Sequence, residues 1–165
     1  MGDFVGLTAT LEDYLQAMAQ VIAEKGAARV RDIAVALSVH KSSVTGALRS
    51  LAEKGLVDYA PYEIATLTPE GEEVARRIAH RHEVIRTFLV EVLSVKAERA
   101  EANACRVEHD LDREVLERLR LFAEFVKRCP HCGRERLQAF QEYYERESNQ
   151  SGDGDRVALT QEDLR

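Results

Sequence analysis

Tryptophan is absent from the 165 residues, and proline and cysteine occur only three times each. Scarce proline leaves long stretches free to be helical, as in a soluble, helix-rich protein. Three cysteines, an odd number, exclude a fully paired disulfide framework and point to a reducing cytoplasm. No apolar run approaches the roughly 18 residues that a bilayer-spanning helix needs, so no membrane partner is expected. The opening Met1-Gly2-Asp3-Phe4 lacks a basic segment followed by an apolar one, so no export signal is expected. Positive charge is also short. The net charge is −6, whereas nucleic-acid binding usually leaves a basic signature. The deficit is uneven, however. Between Arg29 and Lys54 the charged residues are Arg29, Arg31, Lys41, Arg49 and Lys54 against Asp32 and Glu53, while acids gather from Glu98 to Glu117 and in the tail. Charge permits DNA binding in the N-terminal third without establishing it.

What is present is helical periodicity. Leu11, Tyr14, Leu15, Met18, Val21 and Ile22 predict a first helix over 11–25, with Thr10 as N-cap and Gly26 as terminator. A short helix over 30–37, a turn at Ser38-Val39-His40 and a helix over 41–54 make a helix-turn-helix, whose second helix enters the major groove. Residues 56–59 and 64–67 read as two strands around Ala60-Pro61-Tyr62-Glu63, a wing. Thr68-Pro69 supplies an N-cap and an N1 proline for a helix over 69–93. A break at 94–97 precedes a helix carrying Cys105, Glu108 and His109. Asp112 caps another helix, with a stripe of Val115, Leu116, Leu119, Phe122, Phe125 and Val126 that suits either an internal core or a dimer interface. Cys129-Pro130-His131-Cys132 interrupts it before a last helix over 134–147. The expected fold is mainly α: a winged helix-turn-helix DNA-binding domain over 1–75, an all-helical metal-binding and dimerisation domain over 76–147, and a disordered tail over 148–165.

Two sets of residues carry chemistry. Lys41, Ser42, Ser43, Thr45 and Arg49 on the proposed recognition helix, with Arg29 before the preceding one, suit phosphate and base-edge contacts. Ser42 and Ser43 can equally cap the helix. Cys105, Glu108 and His109, at i, i+3 and i+4, place a thiol, a carboxylate and an imidazole on one helical face, the pattern of a metal site. The Cys-Pro-His-Cys run has three readings: a helix-breaking turn, a metal- or redox-sensitive pair, or half of a dimer-bridging zinc site.

Several runs together resemble the diphtheria-toxin-repressor/manganese-repressor family of metal-dependent transcriptional regulators. They are Ala28-Arg29-Val30-Arg31-Asp32-Ile33-Ala34, Val39-His40-Lys41-Ser42-Ser43-Val44-Thr45, Leu67-Thr68-Pro69-Glu70-Gly71, Arg81-His82-Glu83 and Cys105-Arg106-Val107-Glu108-His109. The resemblance covers about residues 8–145 and is to the shorter form without an SH3-like domain. It implies a homodimeric repressor that binds double-stranded operator DNA when Mn(II) or Fe(II) occupies sites between its two domains. It also implies metal ligands at Asp13, His82, Cys105, Glu108 and His109, with Glu83 and Glu101 as candidates for an ancillary site. Gln16 falls where manganese-type members carry a second helix-1 carboxylate. Asp13 matches the manganese-type members and Cys105 the iron-type ones, so the set is a hybrid, and Cys105 can serve through sulfur or through its backbone carbonyl. The wing lacks the Arg-Gly usual at such tips. No enzymatic activity and no small organic substrate are expected, since no nucleophile–base constellation appears beyond the ligand set. The rival reading is a metal-independent winged-helix regulator that senses an organic ligand.

Overall fold

The computed structural model describes residues 7–60, 64–129 and 134–150. Among them, seven helices and a two-stranded ribbon follow the order α1 (Ala9–Lys25), α2 (Val30–Ala36), α3 (Lys41–Glu53), β1 (Val57–Asp58), β2 (Thr66–Leu67), α4 (Pro69–Glu91), α5 (Ala97–Val107), α6 (Arg113–Arg128) and α7 (Arg134–Gln150). The expected mainly α fold with a small wing is what forms.

Helix α1 begins two residues before the expected start. Thr8, extended at φ −80° and ψ 154°, is the N-cap, and its hydroxyl accepts from the Leu11 N–H. Thr10 therefore lies inside the helix rather than capping it, and Asp13 sits too far in to complete a capping box. The helix ends at Gly26, whose φ of +75° is the left-handed conformation glycine adopts without strain. Leu15 and Met18 are completely buried, packed with Ile33 of α2 and with Val44, Leu48 and Leu51 of α3.

The wing is shorter than its apolar pattern predicts. Val57 pairs with Leu67 and Asp58 with Thr66, antiparallel, and Ala65 adds a bridge back to Ala28 ahead of α2. The tip, Pro61-Tyr62-Glu63, lies outside the described residues. Thr68 then ties the wing to α4 from both sides. Its hydroxyl donates to the Gly55 carbonyl at 2.7 Å and accepts from the Gly71 N–H at 3.0 Å, while its own N–H donates to the Leu56 carbonyl at 3.1 Å. Pro69 occupies the first turn, where its missing N–H has no intrahelical role.

Helix α4 joins two hydrophobic clusters. Val74, Ala75 and Ile78 belong to the N-terminal core, and Val84 and Ile85 pack with Ala104 and Leu116 in the second. It ends at Glu91 rather than 93, because the chain turns back through Ser94 at φ +55°. Helix α6, capped by Asp112 as expected, divides its apolar residues between two faces. Leu116, Ala123 and Val126 are buried, whereas Val115, Leu121, Phe122 and Phe125 are exposed. Helix α7 runs on to Gln150, so Ser148 and Asn149 are helical rather than the start of a tail. Residues 151–165, and Pro130 to Gly133 of the Cys-Pro-His-Cys run, lie outside the described residues.

Candidate metal centre

Three elements converge at the site. Helix α1 presents Glu12 and Asp13, α4 presents Arg81 and His82, and α5 with the turn after it presents Glu101, Glu108 and His109. Helix α5 stops at Val107, so Glu108 is its C-cap and His109 sits in the turn beyond. Glu108 nevertheless keeps helical dihedrals, φ −61° and ψ −27°, and its N–H donates to the Ala104 carbonyl, so the expected helical phase carries through it. Glu108 continues the buried row of Ala100 and Ala104 and is itself completely buried, whereas Cys105 is exposed.

Asp13, Glu108 and His109 bring one donor atom each within 4.8 Å of one another. His109 Nε2 lies 3.2 Å from Asp13 Oδ1 and 3.7 Å from Glu108 Oε1. Glu108 Oε1 is fully buried and has no hydrogen-bond partner among the described residues. A buried carboxylate oxygen without a partner costs about 1–3 kcal/mol or more, and here it faces the cluster that a cation would join. Two carboxylates and an imidazole are a donor set that suits hard-to-borderline divalent ions such as Mn(II) and Fe(II). The residues fit a metal ion. The other Glu108 oxygen, Oε2, accepts from His82 Nδ1 at 2.9 Å. Burial pushes the Glu108 carboxyl above its ordinary range, and the neighbouring His82, His109 and Arg81 offset only part of that rise.

The remaining expected ligands divide. His82 and Glu101 are in the network but one step from the cluster: His82 Nε2 lies 3.0 Å from Glu101 Oε1, and Glu101 Oε2 is 3.1 Å from Arg86 Nε. Arg86 thus neutralises the carboxylate that an ancillary metal would use. Glu83 faces away, accepting from the Thr87 hydroxyl at 3.1 Å. The Cys105 thiol is not among the clustered donors. It is held above its ordinary pKa, first by partial burial and then by the negative charge of Glu108, Asp13 and Glu101.

Glu12 is a site residue that the sequence reading did not single out. Its Oε2 accepts from His109 Nδ1 at 2.9 Å and from the Arg81 guanidinium. A carboxylate on Nδ1 fixes the ring so that Nε2 faces Asp13, the second-layer arrangement found behind metal-bound histidines. The available signal was the adjacent pair Glu12-Asp13 on an otherwise apolar helix start. Glu12→Ala should weaken Mn(II) binding by about 10–100-fold, measured by competition with a chromophoric chelator. Glu12→Gln, whose carbonyl still accepts from Nδ1, should recover part of the loss. An unchanged Kd for Glu12→Ala would remove Glu12 from this role.

The expected DNA-contacting residues lie at the start of α2 and along α3. Arg29, Lys41, Ser42, Ser43 and Arg49 are exposed. The Thr45 hydroxyl instead donates back to the Lys41 carbonyl at 3.0 Å. Arg31, Val35, Val39 and His40 line a shallow recess with Lys41 and Ser42 between α2 and α3.

Two family descriptions match successive parts of the chain. Residues 6–65 match the family description "Iron dependent repressor, N-terminal DNA binding domain", and residues 68–136 match "Iron dependent repressor, metal binding and dimerisation domain". The chain is 37% identical over 122 residues to an HTH-type transcriptional regulator of Methanocaldococcus jannaschii, covering 73% of this chain and 98% of that one. It is 37% identical over 123 residues to the HTH-type transcriptional regulator MntR of Lysinibacillus sphaericus, covering 74% and 88%. Among solved structures it is similar to T. acidophilum IdeR, with a TM-score of 0.62 at 26% identity over 81% of this chain and 60% of that one. A manganese-dependent transcriptional repressor in complex with manganese gives a TM-score of 0.63 at 28% identity over 73% and 56%. The chain therefore spans 60% or less of the length of these two solved proteins. The helix-turn-helix, the wing, the three-element metal centre and these likenesses lead to one assignment: the chain belongs to the iron-dependent repressor family.

Proposed function

We propose that the protein is a metal-activated transcriptional repressor, a DNA-binding regulator rather than an enzyme. It works as a homodimer on double-stranded operator DNA and controls manganese or iron homeostasis in the cytoplasm. Residues 1–75 form the DNA-reading part and 76–147 the metal-binding and dimerisation part. The observation that carries this is the buried, unpartnered Glu108 oxygen facing Asp13 of α1 and His109 across the two hydrophobic clusters. A cation there would be held by Asp13, Glu108 and His109. His82 and Glu101 would steady the second Glu108 oxygen, and Cys105 would contribute through its backbone carbonyl if at all. Such a cation ties α1, which carries the helix-turn-helix core, to the α4–α5 unit. The tie fixes the spacing of two recognition helices in a dimer, and a two-fold operator requires a fixed spacing. The outward residues Val115, Leu121, Phe122 and Phe125 of α6 supply apolar surface for the dimer.

By linkage, metal tightens DNA binding and DNA tightens metal binding by the same factor. The test is a gel shift on the protein's own promoter region under anaerobic conditions with Mn(II), Fe(II), Zn(II) or EDTA. Retardation is expected with Mn(II) or Fe(II) and lost with EDTA. Binding insensitive to EDTA would replace this reading with a metal-independent regulator sensing an organic ligand.

A further inference from the structure

Helix α3 contains a glycine that packing does not explain. Gly46 lies mid-helix, where glycine is the least favourable residue after proline. Its φ is not in the left-handed region, and a Cβ built there meets no atom within 4 Å. Neither backbone conformation nor a close neighbour within the chain calls for it. The helix buries Val44, Ala47, Leu48 and Leu51 on its inner side. At 3.6 residues per turn, Gly46 falls on the opposite side, one turn after Ser42 and one turn before Arg49. It is therefore at the middle of the outward ridge of the helix, and it is exposed.

The residues around it are short. Ser42, Ser43 and Thr45 reach little beyond the backbone, and Thr45 spends its hydroxyl on the Lys41 carbonyl. Short hydroxyl side chains touch base edges only if the backbone that carries them comes close to the floor of the major groove. A side chain in the centre of the ridge would hold the helix away from that floor. The geometry points to Gly46 as the closest-approach position of α3 on DNA, where the absence of a side chain sets the depth of seating and lets Ser42 and Ser43 reach the bases. Lys41, Arg49 and Arg29 then contact phosphates at the groove edges, which adds affinity but not sequence information.

This inference rests on the proposed reading of α3 as the recognition helix. Its test uses the full-length protein loaded with Mn(II) and a duplex enriched from a random-sequence library by the wild-type protein. Gly46→Ala should raise the Tm by about 2–4 °C, since alanine is the better helix former and has room. The same variant should bind the enriched duplex about tenfold or more weakly, as an added methyl group does in a closely packed contact. Gly46→Gln should lose more. Affinity for an unrelated duplex, and the Kd for Mn(II), should stay within about twofold of wild type for Gly46→Ala, because phosphate contacts are sequence-independent. If Gly46→Ala binds the enriched duplex as tightly as the wild type, or loses affinity for both duplexes equally, the close-approach role is wrong. If the wild-type protein enriches no sequence with either Mn(II) or Fe(II) present, the repressor reading itself fails.

Discussion

Glu108→Gln should abolish the response to metal while leaving the metal-free protein at least as stable as the wild type. Glu108 is completely buried, and one of its oxygens has no partner among the described residues. Burial raises its carboxyl pKa above the ordinary 4.5, with His82, His109 and Arg81 pulling the other way. A carboxyl whose pKa is raised by folding stabilises the fold fully below its unfolded pKa. That stabilisation is lost as the pH climbs through the folded value. Folding therefore favours the uncharged carboxyl, and ionising it in the metal-free protein costs stability. Glutamine keeps the shape and an acceptor for His82, removes the charge, and cannot serve as an anionic ligand. In EDTA, the variant should melt no lower than wild type, and its Tm should change less between pH 5 and pH 8. With Mn(II) at about one hundred times Kd, the wild type gains about 2.7 kcal/mol, a rise in Tm on the order of 5–10 °C. The variant should gain none. A metal-dependent rise in Tm that survives in Glu108→Gln would dislodge Glu108 from the centre of the site.

Much of this architecture was legible because it is local. The Thr68-Pro69 start of α4, the Asp112 cap of α6 and the α2–α3 turn are each written within a few residues, and each forms as read. The start of α1 was ambiguous for a physical reason. Thr8 and Thr10 can both cap, and packing of Leu7 and Leu11 against the core accompanies the earlier start, which no local rule ranks. The triplet at 105–109 was read with ideal helical phase, and phase is informative only while the helix lasts. Glu108, the C-cap of α5, still keeps that phase one turn after the buried Ala104, but which neighbours the face meets depends on how α5 packs against α1 and α4. Glu12 needed long-range information. Its partner His109 is 97 residues away, and which of two adjacent acids faces it depends on how α1 is rotated against α4 and α5. Arg86 against Glu101 is the same kind of fact, invisible until two helices are placed side by side.

A second alanine-for-glycine exchange should act in the opposite sense from the one in α3. Gly71, in the first turn of α4, has no room for a methyl group: a Cβ there would lie 1.9 Å from the Leu56 carbonyl oxygen and 2.9 Å from its carbon. Both are backbone atoms at the entrance to β1, and they cannot rotate away as a side chain can. That same carbonyl oxygen accepts from the Thr68 N–H, and the Thr68 hydroxyl bonds Gly55. Moving α4 off the wing to make space therefore strains two hydrogen bonds, each contributing about 0.5–1.5 kcal/mol. It also uncovers Leu56, which is fully buried. Overpacking costs about 1–3 kcal/mol and sometimes more, against about 1 kcal/mol gained from helix propensity. Gly71→Ala should lose about 2–4 kcal/mol net, a fall in Tm on the order of 10 °C, read by thermal melts in EDTA. Gly46→Ala in the same assay is the control, since it brings the same propensity gain to a position with open space. The two variants should separate in sign, one above the wild type and one well below. A Gly71→Ala protein that melts with or above the wild type would mean that α4 and the wing are not in the close contact described here.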